Sequence, residues 1–195
     1  MTPGGLAICV FCSSSNAVPR AYFDVAEELG AVMAARGHTL VYGGASIGLM
    51  GALARAVHRG GGRVVGVLPE PLKAREIAYE QADELVITRD LRERKAIMEE
   101  RADAFVALPG GFGTLEETVE ILTLKQLGLH EKPICWLDAG GYYAGLRALF
   151  ERMYGEGFAH TGHAELSRFA EDVPSALAYV EGYVHREVGD KFWWR

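Results

Sequence analysis

Cysteine is scarce in this 195-residue chain, where Cys9, Cys12 and Cys135 are all there is. Three cysteines without zinc-finger spacing exclude both a disulfide framework and a cysteine-rich metal site. Cys9-x-x-Cys12 has the letters of a redox pair, but Cys9 falls inside an apolar run, the wrong setting for a reactive thiolate. Long apolar stretches are missing as well, and none approaches the ~20 residues of a membrane span. The start, Met1-Thr2-Pro3-Gly4-Gly5, has no charged stretch leading into an apolar one, so no signal peptide is expected and the expected location is cytoplasmic. Basic residues are outnumbered, 20 Lys and Arg against 26 Asp and Glu, for a net charge of −6. That balance speaks against a nucleic-acid partner while leaving room for a local anion site. The six histidines are scattered, and His160-x-x-His163 has no further ligands nearby, so no metal is expected.

Glycine, by contrast, is plentiful at 24 residues, and many occur in pairs and triplets. Nearly half of the residues are apolar, enough for one α/β domain with a sizeable core, here taken as residues 1–195. Short apolar runs alternate with helical patterns, which predicts a mostly parallel sheet with helices on both faces, a single Rossmann-like domain. The expected strands are Leu6 to Phe11, Thr39 to Tyr42, Arg63 to Leu68, Glu84 to Thr88, Ala104 to Leu108 and Ile134 to Leu137. Helices are expected between Pro19 and Gly37, from Gly48 to Gly60, from Leu91 to Arg101, from Thr114 to Leu127, from Tyr142 to Tyr154 and from Pro174 to Arg186.

Ligands of such sheets bind beyond the carboxyl ends of the strands. Three small-residue loops follow strands there: Cys12-Ser13-Ser14-Ser15, Gly43-Gly44-Ala45-Ser46 and Pro109-Gly110-Gly111-Phe112-Gly113-Thr114. The last opens a helix, and glycines before a helix let backbone N–H groups close on a phosphate. It is neither a P-loop nor a dinucleotide fingerprint. A second reading stands beside the phosphate site: glycine for a tight turn, with Thr114-x-x-Glu117 as a capping box. On that helix Leu115, Thr118, Val119, Leu122 and Gln126 line one side, while Glu117, Ile121, Leu124 and Gly128 line another. Two covered sides suggest the sheet on one and a partner subunit on the other, with Glu117 partly enclosed.

Asp90 to Arg101 mixes both charges, as a solvated helix with i,i+4 pairs such as Lys95 with Glu99 would. Arg94 stands apart because Leu91, Ile97 and Met98 surround it at helical spacing. A guanidinium in an apolar stripe needs an anion, either a ligand or a structural carboxylate.

Arg94-Lys95 followed by Pro109-Gly110-Gly111-Phe112-Gly113-Thr114-Leu115-Glu116-Glu117 resembles the paired hallmark segments of the LONELY GUY (LOG) family. Ile8 to Ser14, Tyr42-Gly43-Gly44 through Gly51, Ala102 to Leu108, and Gln126-Leu127-Gly128 through Tyr143 resemble the family too, over roughly residues 6 to 160. The resemblance implies a homodimer or larger assembly that hydrolyses the N-glycosidic bond of cytokinin riboside 5′-monophosphates, with AMP also a possible substrate. No metal or cofactor is implied. It makes Arg94 and Glu117 the catalytic pair and has Glu76, Lys95, Gly110, Gly111, Gly113, Thr114, Glu116 and Thr123 contact the nucleotide. Ala45, Leu91, Phe112 and Ala78-Tyr79 depart from the family's usual letters.

N-glycosidic cleavage develops positive charge on the ribose, which a carboxylate at Glu117 suits, whereas Arg94 is too weak an acid to donate a proton. The competing reading is a non-catalytic nucleotide-binding sensor or carrier of the same fold, which needs the glycine loop but not Arg94 and Glu117 together. Pyridoxal-phosphate decarboxylation is a third. It lacks a distinct Schiff-base lysine among Lys73, Lys95, Lys125, Lys132 and Lys191. The closing Phe192-Trp193-Trp194 is expected to pack on its own subunit or on a neighbour.

Overall fold

The computed structural model describes residues 4–73 and 77–186. Seven parallel strands form one sheet in the order β4-β3-β2-β1-β5-β6-β7. They are β1 (Ala7–Phe11), β2 (Thr39–Tyr42), β3 (Val64–Pro69), β4 (Glu84–Thr88), β5 (Ala104–Ala107), β6 (Ile134–Leu137) and β7 (Arg168–Ala170). The central strand β1 pairs with β2 on one side and β5 on the other, Cys9 opposite both Val41 and Phe105. All of β5 and β6 is buried, as expected when both sheet faces are covered and the strands read as unbroken apolar runs.

The helices are α1 (Arg20–Ala35), α2 (Gly48–Arg59), the short α3 (Glu70–Lys73), α4 (Leu91–Arg101), α5 (Phe112–Gln126), α6 (Ala144–Gly155) and α7 (Val173–Glu181). On one sheet face Leu29, Met33, Leu53, Val57 and Leu177 of α1, α2 and α7 pack on Ile8, Val10, Leu40 and Val106. On the other, Met98 of α4 and Ile121 of α5 meet Cys9, Val67 and Phe105, while Phe150 of α6 packs on Trp136. The α/β expectation with helices on both faces holds.

Strand β7 and helix α3 were not foreseen. β7 is three residues long, Arg168-Phe169-Ala170, and only Ala170 is fully buried, too little for a readable alternation. The last helix ends at Glu181, not at Arg186, where Gly182, a poor helix former, is the cap residue. Phe192-Trp193-Trp194 lies outside the described residues. The Cys12-Ser13-Ser14-Ser15 loop receives the start of α2: the N–H groups of Leu49 and Gly48 donate to the Ser13 carbonyl at 2.9 Å and to Asn16 Oδ1 at 2.8 Å.

Candidate active site

The three small-residue loops follow β1, β2 and β5, which are adjacent strands, so they meet at one end of the sheet. Two helices on one face deliver the charged groups. Asp90 starts α4 by accepting the N–H groups of Arg92 and Glu93 at 2.8 and 2.9 Å, and these two bonds hold its carboxyl below the usual range. One turn on, Arg94 turns inward and is only 5% exposed. Its Nε donates to the Val67 carbonyl of β3 at 3.0 Å. Its Nη1 donates to Glu117 Oε1 of α5. Glu117 is 8% exposed, enclosed but not sealed.

The neighbouring glycines fall into two kinds. At Gly43 a Cβ would lie 2.1 Å from Arg94 Nη2, and at Gly110 one would lie 2.1 Å from Thr114 Oγ1. A side chain at Gly110 would run into Thr114, and one at Gly43 would displace the Arg94 guanidinium. At Gly111 and Gly113 a Cβ would meet nothing within 4 Å, so nothing described inside the subunit requires glycine there. Helix α5 begins at Phe112 behind Gly111, and no side chain among the described residues caps it. Its first N–H groups therefore keep the partial positive charge that attracts anions.

Two expectations are corrected here. The Thr114-x-x-Glu117 capping box does not form: the helix starts two residues earlier, and Glu117 turns to Arg94. Lys95 does not pair with Glu99 along its own helix. Its ammonium bonds Glu116 and reaches Glu120 at 2.7 Å, both on α5. Partial burial alone would lower the Lys95 pKa, but the two carboxylate bonds outweigh it and the net shift is upward. Burial, not reactivity, also marks Cys9 and Cys12, whose thiols are pushed well above their ordinary range by desolvation.

The reading of α5 as two opposite apolar sides also changes. The inner side is Thr114, Glu117, Thr118, Ile121 and Lys125, with Leu115 and Leu122 packed on the Trp136 cluster and Leu124 on the Phe105 cluster. What remains outside is Phe112, Val119 and Leu127, at 93%, 39% and 45% exposure. Glu117 thus lies on the sheet side, enclosed as expected.

The structure gathers Arg94, Lys95, Gly110, Gly111, Gly113, Thr114, Glu116 and Glu117 around the β5–α5 junction. Thr123 lies apart. It is exposed, bonds back to the Val119 carbonyl of its own helix at 2.8 Å, and stands ~14 Å along the axis from Thr114 at 1.5 Å per residue. Glu76 lies outside the described residues. Tyr142 escaped the sequence reading as a contact of this loop: its hydroxyl donates to the Gly110 carbonyl at 2.6 Å across 32 positions. No local spacing signals such a contact. At the start of α4, one turn before Arg94, a largely apolar hollow of about 460 Å³ is lined by Pro69, Pro71, Leu72 and Leu91 together with Arg89, Asp90 and Arg92.

Of the candidate lysines, Lys73 is exposed at the end of α3. Lys95 is held by two carboxylates, and Lys132 donates to the Glu99 carbonyl at 2.7 Å. Lys125, its pKa lowered to about 8 by burial, sits 4.5 Å above the Tyr183 ring, 4% exposed and two helical turns beyond Glu117. Lys191 lies outside the described residues. Among the described residues no group of three or more His, Cys, Asp or Glu could hold a metal ion, and no helix is long and apolar enough to cross a membrane.

A family model described as "Possible lysine decarboxylase" matches residues 50–180. A rice protein named "Probable cytokinin riboside 5'-monophosphate phosphoribohydrolase LOGL9" is 48% identical over 177 residues, 91% of this chain and 78% of that one. Arabidopsis thaliana "Cytokinin riboside 5'-monophosphate phosphoribohydrolase LOG4" is 42% identical over 189 residues, 96% of this chain and 88% of its own. Among solved structures, a molybdenum cofactor binding protein from Rippkaea orientalis shares the fold at a TM-score of 0.71 and 21% identity, covering 91% of this chain and 96% of that one. The molybdenum cofactor carrier protein of Chlamydomonas reinhardtii does so at 0.70 and 24%, covering 91% and 97%.

Proposed function

Since the chain belongs to the LOG family of cytokinin riboside 5′-monophosphate phosphoribohydrolases, as its 42–48% identity with the relatives above shows, we propose that it cuts the N-glycosidic bond of such monophosphates, and of AMP. Water enters at C1′, the bond to the base nitrogen breaks, and the base and ribose 5-phosphate leave. The observation that carries the reading is the enclosed Arg94–Glu117 pair beside a glycine-opened, uncapped helix start. A carrier of the same fold needs only the second of these features.

In this reading the 5′-phosphate sits on the N–H groups opening α5, at Gly111, Gly113 and Thr114, with Gly110, Lys95 and Glu116 around it. The Glu117 carboxylate faces C1′, where it stabilises the oxocarbenium-like charge and takes a proton from the attacking water. Arg94 holds that carboxylate in one orientation. Phosphate binding far from the reacting carbon orients the ribose for cleavage. The apolar hollow by Leu91 takes the base and its isoprenoid substituent.

Thr123 lies ~14 Å along α5 from Thr114, away from the phosphate end of the site. Together with the outward Phe112, Val119 and Leu127, it supports a homodimer in which α5 faces a second copy and Thr123 reaches that copy's nucleotide. Light scattering at twice the chain mass would bear this out. Three buried, unpaired cysteines suit a reducing compartment, the cytoplasm.

The test incubates the protein with isopentenyladenosine 5′-monophosphate, AMP and the matching nucleosides, and follows free base by chromatography. Base is expected from the monophosphates alone. Nucleotide binding without any base release would favour the carrier. A second expectation concerns Gly113, which lies in the first turn of α5. Gly113→Ala should stabilise the fold by about 0.5 kcal/mol through helix propensity, yet raise KM for the monophosphates about tenfold by crowding the phosphate against the helix start. Thermal denaturation and steady-state kinetics read the two effects separately. An unchanged KM would remove Gly113 from the phosphate site.

A further inference from the structure

Residues 77–79 cross behind the Gly43-Gly44-Ala45-Ser46 loop as a short antiparallel bridge, Ala45 opposite Ala78. The Ser46 N–H donates to the Ile77 carbonyl at 2.7 Å, its hydroxyl donates to the same oxygen at 3.0 Å, and the Tyr79 N–H donates to the Gly44 carbonyl at 2.8 Å. Two strands this short do not hold themselves in place. Tyr79 supplies the anchor. Its ring is 5% exposed and packs in the core cluster of α1 and α2. Its hydroxyl lies 2.9 Å from His58 Nδ1 on α2, and His58 Nε2 lies 3.0 Å from Asp83 Oδ2. Asp83 also accepts the Val64 N–H at 2.7 Å; that bond, then the one to His58, keeps its carboxyl below the usual range. A carboxylate only accepts, so in the neutral imidazole Nε2 carries the hydrogen, Nδ1 is the acceptor, and the phenol donates. The chain of bonds thus runs in one direction, from phenol to imidazole to carboxylate.

The other end of the bridge reaches the active-site pair. Gly43 is the residue whose missing Cβ makes room for Arg94 Nη2, so the backbone it shares with Gly44 is the floor under the guanidinium. We propose that Tyr79, held by His58 and Asp83, is a positioning residue for Arg94, acting through the Gly43–Ser46 backbone. Tyr79 stands where the chain departs from the letters usual in its family. The kinetic part of this inference rests on the activity proposed above.

Tyr79→Phe keeps the ring and removes the hydrogen bond. With isopentenyladenosine 5′-monophosphate, kcat is expected to fall about fivefold, the equivalent of one buried hydrogen bond, while KM stays within about twofold. Amide exchange at Ser46 and at position 79 should quicken by about the same factor. His58→Leu should copy Tyr79→Phe, and His58→Asn, whose amide oxygen can replace Nδ1 as acceptor, should restore most of kcat. In an Arg94→Lys background Tyr79→Phe should cost nothing more. A lower Tm with unchanged kcat and unchanged Ser46 exchange would overturn the proposal and leave Tyr79 a packing residue. Failure of the wild-type protein to release base would instead count against the activity, and exchange at Ser46 would then decide the latch alone: faster supports it, unchanged overturns it.

Discussion

Glu117→Gln should lower kcat by about 10²–10⁴-fold, the range for loss of a positioned acid–base group, while nucleotide affinity stays within several-fold. The two side chains have the same shape, so the neutral amide still meets Arg94 Nη1 through its oxygen. The site loses the negative charge opposite C1′ and the atom that takes a proton from water. Both matter most in the transition state, so the loss falls on kcat and not on binding. Single-turnover base release beside calorimetric titration with the product ribose 5-phosphate measures each side. Full turnover in the variant would remove Glu117 from the chemistry. Equal losses in turnover and affinity would make it a binding group.

The second large effect concerns stability. The Arg94 and Glu117 side chains are 6% and 10% exposed, so removing one charge leaves the other enclosed without its counter-ion. Arg94→Met should cost about 3–5 kcal/mol, as breaking buried pairs does, and lower Tm by roughly 6–20 °C for a chain of this size. Arg94→Met with Glu117→Leu should regain most of that loss, because two apolar side chains of similar volume need no counter-ion, yet turnover should stay abolished. Urea denaturation of the two variants gives the comparison. If Arg94→Met alone were as stable as the wild type, the guanidinium would not be what holds Glu117. If the double variant were no more stable than the single one, the Val67 carbonyl, also bonded to Arg94, would be the dominant loss.

The sheet was legible because its strands are unbroken apolar runs and because the turns between them carry glycine. Arg94 was legible for the opposite reason, a charge where helical spacing calls for an apolar side chain. Its partner was not readable from geometry. Glu117 sits three residues after Thr114, which is also capping-box spacing, and only the fold shows that Gly111 starts the helix uncapped. Lys95 misled in the same way: Glu99 is its neighbour along α4, but Glu116 and Glu120 of α5 lie closer in space. Contacts across long separations, such as Tyr142 on Gly110 and Tyr79 on His58, leave no periodic trace. Helical spacing on α5 separates Leu122 from Ile121 and Leu124 into two sides, yet all three pack inward in the fold.

The strand order has a further bearing on how the protein is made. Ile8 finds Ala104 only after β2, β3 and β4 have been laid down on the other side of β1. A nascent chain emerged as far as β4 therefore shows the ribosome's surroundings an unpaired edge of β1, its backbone N–H and C=O groups open to another strand. A little later it shows an Arg94 still without its counter-ion. From β4 to the end of α5 takes about 2–8 s more at ordinary translation speed. The Arg94–Glu117 pair thus cannot close until α5 has emerged, and the interval before it is when a chaperone has the most reason to attend.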